Sequence, residues 1–181
     1  MFALHAVLMA LFIAVPLDLR AAGLPVDLHW QVYLPVMTGS FVLMLPAILG
    51  PMRPQRLKAV FIGAIVLLLL SQLAMPWLSG GVWAIAAFLL AFFTAFNALE
   101  AHLPTLVSRA APGEARGVAI GVFTSLQFFG AFFGAAAGGF LYGKWGTTGI
   151  VIFDVALLVI WVAAAAGTRV PESRGGGQRR I

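Results

Sequence analysis

The stretch AVFIGAIVLLLLSQLAMPW, residues 59–77, decides the fold of this chain. It contains no charged residue, and its length is close to the ~20 residues with which a helix crosses ~30 Å of hydrocarbon. Arg56 and Lys58 precede it, and Trp77 ends it. Because a backbone inside lipid must satisfy its own hydrogen bonds, the stretch is predicted to be a membrane-spanning helix.

Five more apolar stretches of similar length fill most of the remaining chain. Proline, glycine or charge marks most of their boundaries. The first stretch lacks a basic leading region and a small-residue cleavage pattern, so it is interpreted as a retained helix and not as a signal peptide. The prediction is an all-α polytopic membrane protein in which residues 1–168 form one bundle. Its six predicted spans are 2–19, 30–50, 59–77, 81–102, 117–141 and 147–167.

The composition excludes an ordinary soluble domain. The 181 residues are 62% hydrophobic and only 9% charged, too few polar side chains to cover such a core. A net charge of +5 would suggest nucleic-acid binding in a soluble protein, but here the basic residues flank apolar runs. They are better explained as topology signals beside an anionic lipid leaflet. The predicted partner is therefore a lipid bilayer and not a nucleic acid.

The basic residues also predict an orientation. Of the 11 Lys and Arg residues, only Arg20 and Lys144 fall on one side of the predicted spans. The positive-inside rule therefore places both termini in the cytoplasm. The chain is predicted to lie in the cell inner membrane. A short polar tail, residues 169–181, is predicted to be disordered, serving as a topology signal or binding a partner. The residues on the basic side are Arg53, Arg56, Lys58, Arg109, Arg116, Arg169, Arg174, Arg179 and Arg180.

Aromatic residues support the same orientation, because Trp and Tyr prefer the boundary between lipid and water. Six of them fall at helix ends assigned to the outer face, whereas Trp161 falls in mid-span. The six are Trp30, Tyr33, Trp77, Trp83, Tyr142 and Trp145.

Polar side chains within the spans are candidates for a substrate or ion pathway, since an ionisable group at the membrane centre costs ~2.5–3.5 kcal/mol or more unless it faces protein or water. Asn97 and Glu100 recur at helical spacing with Thr94, which predicts a polar stripe turned away from lipid. Asn97 is a candidate for lining a cavity. Glu100 either contacts substrate or a proton, or pairs with Arg109 or Arg116 at the cytoplasmic end.

Three further polar side chains lie within the other spans. Asp154 is interpreted as a structural cap or ion pair, with proton coupling as the alternative. Gln127 bonds either a neighbouring helix or a ligand. His5 can titrate near neutral pH, but its place near the cytoplasmic end favours a solvated side chain.

Small residues every fourth position predict a close helix contact in span 117–141, because van der Waals packing replaces the missing hydrophobic drive in lipid. No phosphate-binding loop, paired histidines with a carboxylate, or nucleophile beside a histidine base is present in the sequence. The chain is therefore predicted not to be an enzyme and to need no cofactor or metal. The predicted packing residues are Gly117, Gly121, Ser125, Gly130, Gly134 and Gly138.

Two segments carry a family resemblance. Residues 92–143, beginning FFTAFNALEAHLP, resemble helices ten and eleven of major facilitator superfamily transporters, in particular the YajR-type inner-membrane members. Residues 29–49, HWQVYLPVMTGSFVLMLPAIL, are similar to the eighth helix of the same group. The pattern Asn-x-x-Glu-Ala-x-Leu-Pro at residues 97–104 is its most specific motif, and the resemblance extends over residues 2–168.

The resemblance implies that the chain is the C-terminal six-helix half of a twelve-helix carrier. Such carriers bind a small-molecule substrate between two halves that rock against one another. A single half lacks the second wall of that cavity, so function is expected to need an N-terminal half or a second copy. The leading hypothesis is secondary active, proton-coupled efflux of small molecules, and the alternative is a non-transporting six-helix membrane scaffold or assembly protein.

Overall fold

In the computed structural model, which describes residues 1–49, 54–77 and 81–167, every regular element is a helix. The all-α prediction is therefore confirmed, while the predicted tail at residues 169–181 lies outside the described residues. Single 3-10 turns precede α2, follow α3 and precede α5. The long helices are α1 (Phe2–Ala21), α2 (Trp30–Leu49), α3 (Pro54–Ala74), α4 (Val82–Ala110) and α5 (Arg116–Gly167).

Helix α5 contains a chain reversal. Its 52 residues would extend ~78 Å if straight, more than twice the hydrocarbon thickness. Gly146 has φ 60° and ψ −151°, a conformation that essentially only glycine adopts, and it divides α5 into a first arm (116–145) and a second arm (147–167). The rings of Phe133 and Phe153 are 6.0 Å apart, although a straight helix would separate them by ~30 Å. The two arms therefore fold back on one another.

The helix termini lie at two ends of the bundle, called here the basic end, which holds Arg56 and Lys58, and the aromatic end, which holds Trp77 and Trp83. At the basic end, Arg56 donates a hydrogen bond to the Pro46 carbonyl and Lys58 donates one to the Ala166 carbonyl, both at 3.2 Å. These bonds join the end of α2, the start of α3 and the end of α5. At the opposite, aromatic end, the Thr147 hydroxyl beside the break in α5 donates a 3.0 Å hydrogen bond to the Asp18 carboxylate of α1.

Two helices extend beyond their predicted spans at the basic end. Helix α4 continues through Pro104 to Ala110, whereas the predicted span is 81–102. Helix α3 begins at Pro54 and not at residue 59, since proline suits the first turn of a helix, where its missing N–H has no partner anyway. A helix can continue into water past the edge of the bilayer. The helix bounds therefore do not determine which residues lie within the membrane, and the six spans stay predictions.

Helix α1 packs mainly against α5 and contributes its buried residues to the core of the bundle. Leu4, Val7 and Leu11 are fully buried there, and they belong to one apolar core with Leu89 and Phe92 of α4. The outer surface is also apolar: Phe132 is 70% exposed and Trp83 is 86% exposed. Large apolar side chains facing outward over long helices are typical of a surface in contact with lipid, and all five helices are long and apolar enough to cross a membrane.

Candidate functional site

A cluster of three polar side chains joins three helices near the basic end. His5 Nε2 of α1 lies 2.9 Å from Gln127 Nε2 of the first arm of α5 and 3.3 Å from Glu100 Oε1 of α4. His5 is only 7% exposed, and the Phe96 ring lies edge-on to it at 5.7 Å. The residues His5, Glu100 and Gln127 are called the histidine cluster below.

The geometry of the histidine cluster is sensitive to the protonation of one nitrogen. An imidazole nitrogen has a single hydrogen-bonding direction, and the Gln127 amide occupies the one at Nε2. As the amide is oriented, its nitrogen donates and His5 Nε2 accepts, so that nitrogen carries no proton. Glu100 Oε1 is within ion-pair distance but makes no hydrogen bond there. Protonation of Nε2 would oppose the Gln127 contact and strengthen the Glu100 contact.

The prediction of a solvated His5 is wrong, and Glu100 contacts a different partner from the predicted one. His5 is buried and not solvated, because the side chains of α4 and α5 cover the first turns of α1. The expected pairing of Glu100 with Arg116 is replaced by the His5 contact, and the Arg109 side chain is outside the described part of the chain. Gln127 bonds a neighbouring helix, one of its two predicted alternatives.

The second polar contact joins α4 to α2. Asn97 Nδ2 donates a 2.9 Å hydrogen bond to Ser40 Oγ, and Ser40 in turn donates to the Met37 carbonyl at 2.8 Å. Asn97 is 8% exposed and Ser40 is fully buried. The third member of the predicted stripe, Thr94, bonds the Leu90 carbonyl of its own helix. The stripe therefore faces protein over this length, with Asn97 turned toward α2.

The third contact joins α3 to the second arm of α5. Gln72 Nε2 donates a 2.8 Å hydrogen bond to Asp154 Oδ2, and both side chains are fully buried. Asp154 Oδ1 and Gln72 Oε1 make no hydrogen bond within the described residues. The predicted cap or ion pair at Asp154 is thus replaced by a neutral amide partner. Gln72 was missed, although the cost of polar groups at membrane depth applies to an amide in mid-span as well.

The small residues of α5 divide into two groups. Gly130, Gly134 and Gly138 are buried against the α1 backbone, where an added Cβ would lie within 2.8, 2.5 and 2.8 Å of the Cα atoms of Phe2, Ala6 and Ala10, respectively. Because the residue numbers increase in the same direction along the two helices, the first arm of α5 runs parallel to α1. In contrast, Gly117, Gly121 and Ser125 are exposed, and among the described residues no atom of another helix lies within 4 Å of a Cβ built on either glycine. A contact for this second group stays a prediction.

Asp18 and Thr147 form the fourth polar contact, at the aromatic end. The Thr147 hydroxyl lies 3.0 and 3.3 Å from the two oxygens of the Asp18 carboxylate. Sequence reasoning missed this pair because both residues lie at span boundaries, where a polar side chain is expected.

Comparison with known proteins finds two transport proteins that are similar to the chain. The inner membrane transport protein YajR of Escherichia coli is 32% identical over 168 residues, which are 93% of this chain and 37% of that protein. An uncharacterized transporter of Buchnera aphidicola, BU466, is 29% identical over 133 residues, which are 74% of this chain and 34% of that protein. No protein-family model matches the chain.

The chain thus spans about a third of the length of the curated relatives that it matches. The matched segment of YajR is its C-terminal part, and both relatives are named as transport proteins.

Proposed function

Since the chain belongs to the major facilitator superfamily of membrane transporters, we propose that it is the C-terminal half of a secondary carrier that exports small molecules in exchange for protons. The observation that carries this proposal is the similarity to YajR, which is 32% identical over 93% of the chain. Transport proteins bind and release solutes without covalent chemistry, which agrees with the lack of a catalytic constellation in the sequence.

The proposal includes six membrane crossings. Each arm of α5 has the length of one crossing, and the reversal at Gly146 lets both arms cross separately. The basic end then faces the cytoplasm and the aromatic end faces outward, in agreement with the positive-inside rule. Both chain termini lie on the cytoplasmic side in this arrangement.

The exposed first turns of α5 are the proposed contact with a second half. Gly117, Gly121 and Ser125 follow one another at four-residue spacing on an open face, and small residues at this spacing allow close helix approach. The partner is an N-terminal six-helix half or a second copy of this chain. A substrate cavity between two halves is the usual arrangement in carriers built from repeats.

The histidine cluster is the proposed proton site. Protonation of His5 Nε2 weakens its contact with Gln127 of α5 and strengthens its contact with Glu100 of α4. A proton thereby changes the balance of contacts between three helices, which is what coupling to a rocking motion requires. Asn97 is proposed to line the substrate pathway beside this cluster, and Asp154 is a second candidate for proton binding.

Transport in everted membrane vesicles tests the proposal. The chain is expressed alone and together with the part of YajR that precedes the matched segment, and the accumulation of a panel of fluorescent amphipathic solutes is followed after a proton gradient is imposed. Insertion is verified by blotting the same vesicles. Proton-dependent accumulation in the paired vesicles, abolished by an uncoupler, supports a carrier half. Fully inserted protein without gradient-dependent accumulation in either preparation contradicts it and favours the scaffold alternative.

A further inference from the structure

A cavity of about 400 Å³ opens at the aromatic end, within the described bundle and away from the histidine cluster. It forms where α1 ends, α4 begins and α5 reverses, with the turn after α3 completing the wall. Its wall includes Asp18, Ala22, Met75, Ile85, Phe88 and Thr147.

Most of the cavity wall is apolar, and its polar groups cluster together. Ile85 and Phe88 are 6% and 5% exposed, so their side chains form a firmly packed face. Asp18 and Thr147 contribute a carboxylate and a hydroxyl that contact one another at 3.0 Å. A mainly apolar concavity with a few convergent polar groups, of this volume, is typical of a small-molecule site.

The sign of the charge in the cavity is set by Asp18. Two helix C-terminal ends, those of α1 and of the turn after α3, meet two N-terminal ends, those of α4 and of the second arm of α5. Their partial charges have opposite sign and offset one another. No ion pair to Asp18 exists among the described residues, and Asp18 is the one charged residue in the cavity wall that they form. The carboxylate therefore gives the cavity a negative character.

We infer that this cavity is a binding site for an amphipathic organic cation, whose charged group contacts the Asp18 carboxylate and whose apolar body lies against Phe88 and Ile85. The site is formed by one chain and needs no second half. On the proposed orientation it opens toward the outer face. Binding itself does not depend on the chain being a transporter, so failure of the transport assay leaves this inference standing.

Two ions of matched size and shape and opposite charge test the site. The full chain is placed in neutral phosphatidylcholine nanodiscs, and the binding of tetraphenylphosphonium and of tetraphenylborate is measured by equilibrium dialysis, with empty nanodiscs subtracted. Saturable binding of the cation in preference to the anion is expected. No saturable binding above empty discs, or equal affinity for the two ions, would overturn the inference.

Variants identify the residues involved. Asp18→Asn keeps an oxygen acceptor for Thr147 and is expected to weaken cation binding about tenfold, the scale expected on loss of a partly hydrated charge contact. Ala22→Phe, which fills the cavity, is expected to reduce binding of the cation to the level of empty discs. Glu114→Gln removes an exposed carboxylate at the basic end and is expected to leave affinity unchanged. If Asp18→Asn binds the cation as tightly as the unmodified chain, with its helical content intact, the assignment of Asp18 is wrong.

Discussion

Gln72 donates a 2.8 Å hydrogen bond to Asp154 across the contact between α3 and the second arm of α5, and both side chains are fully buried. The amide is the only hydrogen-bond partner of this carboxylate among the described residues. A buried polar group that loses its single partner costs more free energy than a pair replaced as a unit. The contact therefore distinguishes between variants that look equally mild in the sequence.

Gln72→Leu is expected to destabilise the fold by about 1–3 kcal/mol, because it leaves Asp154 buried without a partner. Asp154→Asn is expected to cost less, since an amide can accept from Gln72 Nε2 and also donate to Gln72 Oε1. Thermal unfolding of both proteins in the same detergent measures the difference. Equal loss of stability in the two variants would contradict the claim that the buried Asp154 carboxylate depends on Gln72 as its partner.

The glycines of α5 that contact α1 are expected to tolerate no side chain. Gly134→Ala places a methyl group against the Ala6 backbone and should cost about 2 kcal/mol or more, because backbone cannot move aside as a flexible side chain can. Gly121→Ala is the matched control: no described residue of another helix lies within 4 Å of its added Cβ, so no loss is expected, and the higher helix propensity of alanine should add up to about 1 kcal/mol. Equilibrium unfolding in detergent gives both values. A Gly134→Ala protein as stable as the control would mean that α1 and α5 are farther apart.

The reversal at Gly146 can be examined with cysteine chemistry, since the chain has no cysteine of its own. Replacing Phe133 and Phe153 with cysteine puts two thiols on facing arms of α5, and a bifunctional thiol reagent is expected to join them. Gly146→Ala should reduce this cross-linking, because alanine adopts the required backbone conformation only at a cost of about 1–3 kcal/mol. Gly143→Ala is the control, because no other helix in the described part of the chain has an atom within 4 Å of its added Cβ. Undiminished cross-linking in the Gly146 variant would show that another residue makes the turn.

The Asn97–Ser40 bond is expected to be worth about 0.6 kcal/mol, the average for side-chain hydrogen bonds between membrane helices. A double-mutant cycle with Asn97→Ala and Ser40→Ala isolates this coupling from the effects of each truncation. Strictly additive single-variant losses would indicate that the two side chains act independently and that Asn97 has another purpose.

The helices themselves were predictable because a backbone in lipid must satisfy its hydrogen bonds within the protein. A charge-free run such as residues 59–77 can satisfy its backbone only as a helix, and Gly146 lies in the predicted boundary between residues 141 and 147. The glycines at 130, 134 and 138 share one face by periodicity alone, and that face is in contact with α1.

The polar contacts were not predictable in the same way, because periodicity gives the face of a helix but not the neighbour opposite it. His5 is buried since α4 and α5 pack over it, and nothing within the first span reveals this. Ser40 and Gln72 acquire their importance only from partners that lie 57 and 82 residues away along the chain. The cavity beside Asp18 likewise depends on four helix ends that meet only in the folded bundle.

The central claim, a proton-coupled carrier half with the histidine cluster as its proton site, is tested most directly by the initial rate of gradient-driven accumulation in the paired vesicles. Glu100→Gln is compared there with Glu114→Gln, an equal change in charge at an exposed position outside the cluster. The account predicts that Glu100→Gln lowers the rate to that of uncoupled vesicles while Glu114→Gln retains the full rate. Equal, gradient-dependent rates in the two variants would contradict it.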